Sequence, residues 1–211
     1  MGVLSSIGSV KSLSQKWTMM LAVLLLSSFV SSCALLTPPP APRDTYELTA
    51  PRDFGRIGRT RAQILVKTPT SLKSIDSERM ILRPTAATVT YLEGAQWSDT
   101  VPRMVQAKLV EAFENSGSTG ATAKPGDGLV IDFQLVSDIR RFDILPGSNG
   151  QVIIEISIKL LADRSGVVRE TRIFRATAPN RGDDAEAYVA AFDVAFDKLA
   201  SDIVAWVTRR V

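Results

Sequence analysis

The chain has 211 residues, 45% apolar and 22% charged, a composition that suits one folded domain and lies far from that of disorder. It holds one cysteine and no histidine, which excludes a disulfide framework, a Cys/His zinc site and any triad that needs an imidazole. The formal charge is +3, and Lys11 and Lys16 are the only charged side chains before Cys33; without them the remainder carries about +1, with no basic stripe for nucleic acid.

The N-terminus has the order of a signal peptide: Lys11 and Lys16, an apolar zone from Met19 to Leu26, then small residues up to Cys33. The uninterrupted apolar run is eight residues, and extending it through Val30 still leaves it short of the ~20 needed to span a bilayer. Val30-Ser31-Ser32-Cys33 resembles the bacterial lipobox, in which small side chains admit the protease and the thiol is the nucleophile that takes up lipid. Residues 1–32 are therefore expected to be a cleaved lipoprotein signal peptide and Cys33 the lipid attachment site. The competing reading is an incidental cysteine behind an ordinary signal peptide or a signal anchor. Residues 33–45, with Pro38-Pro39-Pro40-Ala41-Pro42, favour extended polyproline II and suit a tether. At ~3.1 Å per residue it reaches roughly 30 Å from the lipid surface. Enterobacteria-like sorting retains Asp-following lipoproteins at the inner membrane; by that resemblance Ala34 points to the outer membrane, facing the periplasm.

Residues 46–211 are expected to form a single domain. Ala62, Ile64 and Val66 alternate as a strand ending at Thr68-Pro69, and two short extended segments, Arg79 to Arg83 and Thr85 to Leu92, flank Pro84. Ser98, Asp99 and Pro102 suit a helix start, and Val101, Val105, Leu109 and Phe113 form its apolar stripe as far as about Asn115. Ser116 to Gly128 reads as a loop. Leu129, Ile131, Phe133 and Leu135 then alternate, as do Ile154, Ile156, Ile158 and Leu160 beyond a Pro146-to-Gly150 turn, which predicts an antiparallel hairpin. A turn at Asp163 to Gly166 leads into a more polar strand, Val167 to Ala178, placed near an edge. The last element is a helix from near Asp183-Asp184 to near Arg209-Arg210, with acids at its start, bases at its end and a stripe from Tyr188 to Val207. The predicted fold class is α+β: a two-layer sandwich with an antiparallel sheet and both main helices mostly on one face.

Several blocks in register carry a family resemblance: Cys33 followed by Tyr46-Glu47-Leu48, Ile64-Leu65-Val66 before Pro69, and Tyr91 to Trp97 leading into Val101 to Gln106. Leu129 to Phe133, Phe174 and the Tyr188-to-Trp206 helix keep the same order. The chain resembles the ABC-type transport auxiliary lipoproteins, the PqiC/YmbA-like family, although Glu78-Arg79-Met80-Ile81 stands where Ser-Arg-Ile and an aromatic are common. The resemblance implies a non-enzymatic, lipid-anchored component of an MCE system. Its partners would be an MCE-domain substrate-binding protein with its permease and ATPase, and its cargo phospholipid or another hydrophobic molecule. It also admits a homo-oligomer.

The alternative is a structural or regulatory envelope lipoprotein that binds a cell-wall or other membrane complex through an exposed sheet edge. No cofactor, catalytic residue or metal site is expected: no Gly-x-Ser-x-Gly elbow is present, Gly55, Gly58 and Gly126-Asp127-Gly128 lack a phosphate-loop context, and Asp183, Asp184 and Glu186 read as an acidic helix start. Trp97 and Trp206 are read as core in preference to interface anchors. Arg140-Arg141, Arg172 and Arg175 are read as a solvated sheet face and not as a site.

Overall fold

Two long antiparallel connections organise the sheet, and shorter strands are threaded around them. The computed structural model describes residues 42–147 and 149–211, together with Trp17; Cys33, the rest of the expected signal segment and most of the proline-rich stretch lie outside the described residues. The strands are β1 (Asp44–Tyr46), β2 (Gln63–Val66), β3 (Thr70–Ser71), β4 (Arg79–Leu82), β5 (Thr90–Trp97), β6 (Ala121–Ala123), β7 (Phe133–Leu145), β8 (Gln151–Ala162) and β9 (Val168–Pro179); the helices are α1 (Val101–Ser116) and α2 (Ala185–Thr208).

β7 is the axis. Along one side β8 pairs with it antiparallel, from Phe133 opposite Ala162 to Leu145 opposite Gln151, and β9 continues the sheet beyond β8. Along its other side β2, β3 and β4 follow one another, each parallel to it. A strand of 13 residues can take such short partners in series. β6 lies outside β2 in parallel, β5 outside β4 antiparallel, and β1 outside β5 in parallel. The α+β, two-layer class holds, but the sheet is mixed and not antiparallel throughout. Alternation reports which face a residue takes and is blind to strand direction. The parallel partners are joined by long crossings such as the one through α1, as parallel pairing requires.

Both helices share one core with the sheet. Inward positions of β8, from Val152 through Ile154, Ile156 and Ile158 to Leu160, meet Leu109 and Phe113 of α1 and Phe192, Phe196 and Ile203 of α2. Trp97, Phe142 and Phe192 interlock β5, β7 and α2: the indole stands edge-on to both phenyl rings, which are stacked 4.7 Å apart. Such geometry adds about 0.5–1.5 kcal/mol per pair beyond the area buried. Trp206 is fully buried, edge-on to Phe174, and its Nε1–H donates to Glu170 at 3.2 Å. Both tryptophans are core residues, as the sequence suggested.

Local chemistry sets the helix ends. α2 is capped by Asp184, whose side chain accepts from the Ala187 N–H at 2.7 Å. α1 starts two residues later than Ser98 would place it: Thr100 is the cap residue and Pro102 sits in the first turn, while the Ser98 N–H is taken by the Tyr46 carbonyl. At its end Gly117 takes φ +55, the left-handed conformation that closes a helix. Gly120 serves a different need, since a Cβ there would lie 2.2 Å from the Arg61 carbonyl oxygen.

Both ends of β5 and of β7 differ from expectation. β5 begins at Thr90, because residues 83–89 turn beyond Pro84, and it runs on to Trp97. β7 begins at Phe133 and not at Leu129; Leu129 and Val130 are exposed. It also continues ten residues past Leu135 by absorbing a bulge at Arg140. Ile139 opposes Ile156, Arg141 opposes Glu155, and Arg140 has no partner of its own. That extra residue returns Phe142 and Ile144 to the core and turns Arg141 and Asp143 outward.

Candidate functional site

The face of the sheet away from the helices carries a row of charge built across four elements. Arg175 on β9 lies 3.3 Å from Glu155 on β8, Glu155 is opposite Arg141 on β7, and Arg141 grips Asp143 with both arms of its fork, Nε to Oδ1 at 3.0 Å and Nη2 to Oδ2 at 2.6 Å. Arg83, just past β4, brings its Nε to 3.5 Å from Asp143 Oδ2. Asp143 is fully buried under these two arginines although it belongs to the outer face. The guanidinium of Arg141 is held above its ordinary pKa chiefly by the hydrogen bonds to Asp143, with the charges of Asp143 and Glu155 assisting and burial opposing. Bidentate charge-assisted pairing of this kind fixes geometry as well as adding energy.

Next to this row lies an open strand edge. β9 pairs with β8 and with no other described strand, as its polar sequence suggested. Twelve residues of backbone are therefore presented on one side, with Ile173 about half exposed and Val167 and Val168 exposed at its start. Such an edge is a template for pairing with another chain unless charges guard it, and Arg169, Arg172 and Arg175 do so here. Arg172 lies over the Phe174 ring at 4.9 Å.

A third arrangement fixes the start of the folded region. Leu48 and Ala50 are buried while the residues between and before them are pinned to both helices. Tyr46 OH donates to Glu186, Glu47 pairs with Lys108 at 2.9 Å, and the Thr49 N–H donates to Asp193 at 2.8 Å. The Asp193 carboxyl is pushed above the ordinary aspartate value, mainly by burial, against the opposing pull of the Thr49 hydrogen bonds and Lys108.

A folded-state pKa raised above the unfolded one means that the stability from this group is fully present below about 3.9 and is lost as pH rises through the raised value. Asp193→Asn keeps an oxygen for the Thr49 N–H and removes the titration. Its urea-unfolding stability is expected to fall less than that of the native chain over that window, and identical pH profiles for the two proteins would contradict the assignment.

The sequence-flagged residues separate accordingly. Arg141 and Arg175 share the charged row, Arg172 lies on the other face of β9, and Arg140 is the bulge residue. Asp183 and Glu186 accept hydrogen bonds from Tyr188 and Tyr46, and Asp184 is the α2 cap. Among the described residues no group of three or more Cys, Asp or Glu side chains is placed to hold a metal ion, and no helix is long and apolar enough to cross a membrane. Sequence reasoning missed Arg83, Asp143 and Glu155. The signal available for them was the broken alternation of Arg140-Arg141-Phe142-Asp143, which marks a bulge.

The model of the ABC-type transport auxiliary lipoprotein component matches residues 46–204, which takes in every element from the strap at Tyr46 into the last turns of α2. The chain belongs to this family. Members are lipoproteins, so the protein is membrane-anchored and envelope-associated, and its family works with ABC-type transport. The auxiliary lipoprotein is 31% identical over 173 residues to an uncharacterized protein of Bradyrhizobium diazoefficiens, which covers 82% of this chain but only 47% of that one; the chain spans about half the length of this relative. A crystal structure from Xanthomonas campestris, a protein of the DUF330 family, superposes with a TM-score of 0.72 at 29% identity, covering 79% of this chain and 96% of the other. A Chlamydia trachomatis protein, CT253, shares the fold at a TM-score of 0.52 and 8% identity, over 72% and 98% of the two chains.

Proposed function

We propose that this auxiliary lipoprotein is tethered through Cys33 to the outer membrane, faces the periplasm, and serves an MCE-type ABC transport system that moves phospholipid or other hydrophobic cargo between envelope membranes. It acts by binding protein and not by catalysis. Its partner is the MCE-domain substrate-binding protein, associated with a permease and an ATPase that supply the energy. The observation that carries this reading is the family match over residues 46–204. The open β9 edge, with Ile173 beside the charged row and Val168 exposed at the start of the strand, supports a contact surface, because an extended strand can add to such an edge and apolar side chains can anchor it.

Affinity capture of the full-length protein from solubilised envelopes tests it. The MCE-domain protein should be recovered, and Val168→Glu with Ile173→Glu should lower that recovery about tenfold or more while circular dichroism stays unchanged. Recovery of a cell-wall synthesis complex in its place would replace transport with the regulatory reading, and unaltered capture by the double variant would remove β9 as the surface.

A further inference from the structure

A groove of about 570 Å³ opens where the stretch after β3, the turn after β4 and the second half of β7 meet. Its charged wall is made of Arg83, Arg140 and Arg141, and its apolar wall of Leu72, Pro84 and Leu145. Three guanidinium groups converge here from segments about 57 residues apart in the chain, yet the acids among them are few. Asp143 is already shared between Arg83 and Arg141, and Asp138 stands 4.0 Å from the Arg140 Nε, beyond hydrogen-bond range.

The donors are correspondingly under-used. Arg141 spends Nε and Nη2 on Asp143 and keeps Nη1. The Arg83 Nε is buried with no hydrogen-bond partner, and its Nη1 reaches only the Ala86 carbonyl, at 3.4 Å. That Nε is turned inward, 3.5 Å from Asp143 Oδ2, so it is the outer nitrogens of the fork that face the groove. Asp143 orients Arg141 from beneath by two hydrogen bonds and lies 3.5 Å from the Arg83 Nε. Meanwhile Leu72 stands 72% exposed at the rim, an apolar side chain held in water beside a cluster of cations.

An oxyanion with several acceptor oxygens and an attached hydrocarbon satisfies both walls at once. We propose that this groove binds the phosphate of an acyl-bearing amphiphile, a phospholipid headgroup, with Arg83, Arg140 and Arg141 on the phosphate and Leu72 against the first methylenes. Arginine suits this role because its planar fork donates two parallel hydrogen bonds to a phosphate. Anchored through Cys33 as proposed above, the domain would work within reach of such headgroups. The inference names a ligand class for the envelope role proposed above and does not depend on which transport partners it has.

The test uses the full chain carrying Cys33→Ser, so that no acyl anchor competes, titrated calorimetrically with dihexanoyl-phosphatidylglycerol below its micellar concentration and, separately, with inorganic phosphate. The short-chain phospholipid is expected to bind saturably and more tightly than phosphate. Arg140→Gln, an exposed bulge residue outside the Asp143 cluster, should weaken it about tenfold, the loss of one charge-assisted hydrogen bond. Leu72→Ser should weaken the phospholipid and leave phosphate unchanged. Equal binding of phosphate and phospholipid, with no effect of Leu72→Ser, would assign the groove to a free anion and overturn the lipid reading. Absence of saturable binding, or indifference to Arg140→Gln, overturns the site altogether, and continued capture of the MCE-domain protein in that case would leave the proposed partner role standing.

Discussion

Asp143→Leu is expected to destabilise the domain by about 3 kcal/mol, the low end of the ~3–5 kcal/mol that follows when one member of a buried ion pair is removed. The carboxylate is fully buried, and its loss strands both arms of Arg141 and removes the counter-charge that lies 3.5 Å from the Arg83 Nε. The low end applies because the side chains of Arg141 and Arg83 stay 25% and 20% exposed and can turn toward water. The damage should be felt where β4 joins β7, since Asp143 is opposite Ile81 and the Arg83 N–H bonds the Ile144 carbonyl. Asp143→Asn keeps one acceptor and should cost about half as much. Adding Arg141→Leu to Asp143→Leu should recover part of the loss, because residues that share a network are not additive. Urea unfolding of the four proteins measures this; a cost for Asp143→Leu below about 0.5 kcal/mol, the usual range for surface changes, would show that the cluster is not a structural hub.

Cys33→Ser is expected to have the largest effect on where the protein resides. Each buried methylene contributes about 0.8 kcal/mol; one acyl chain holds only marginally, whereas the two or three chains of a bacterial lipoprotein make release negligible. Without them the remaining apolar attachment is the run Met19–Leu26, too short to span a bilayer of ~30 Å. Alkaline carbonate extraction of membranes should leave the native protein in the pellet and move most of the variant to the supernatant. Equal retention of the two would mean that something other than acyl chains holds the chain to the membrane.

Elements governed by neighbouring residues were readable from the sequence. α2 could be placed because Asp184 caps it and the Tyr188-to-Val207 stripe repeats at helical spacing, and the β7–β8 hairpin because two alternating runs flank the Pro146-to-Gly150 turn. Elements governed by distant partners were not. Leu129 and Ile131 continue the alternation of β7 backward with nothing in their own sequence to show that pairing starts only at Phe133. β3 is two residues long and exists only because β7 offers it backbone groups between β2 and β4. The parallel pairings of β2 and β4 depend on the route of the chain through α1, which periodicity does not encode.

The charged row escaped notice for a related reason. Arg141 and Asp143 occupy the outer face only because Arg140 is bulged, and Arg83 reaches them from 60 residues away. Read without the bulge, Arg140-Arg141 is an ordinary pair of surface bases. Cys33 is the opposite case, a position singled out wholly by local order, the small residues before it and the prolines after it.

The proposed role requires the domain to be fastened beside a membrane, and intact-mass analysis of the protein purified from native envelopes tests that most directly. The mass should correspond to a chain beginning at Cys33 and carrying acyl groups on it. A chain that retains residues 1–32, or one that bears an unmodified thiol at residue 33, would contradict the tether and with it the placement on which the proposed transport role depends.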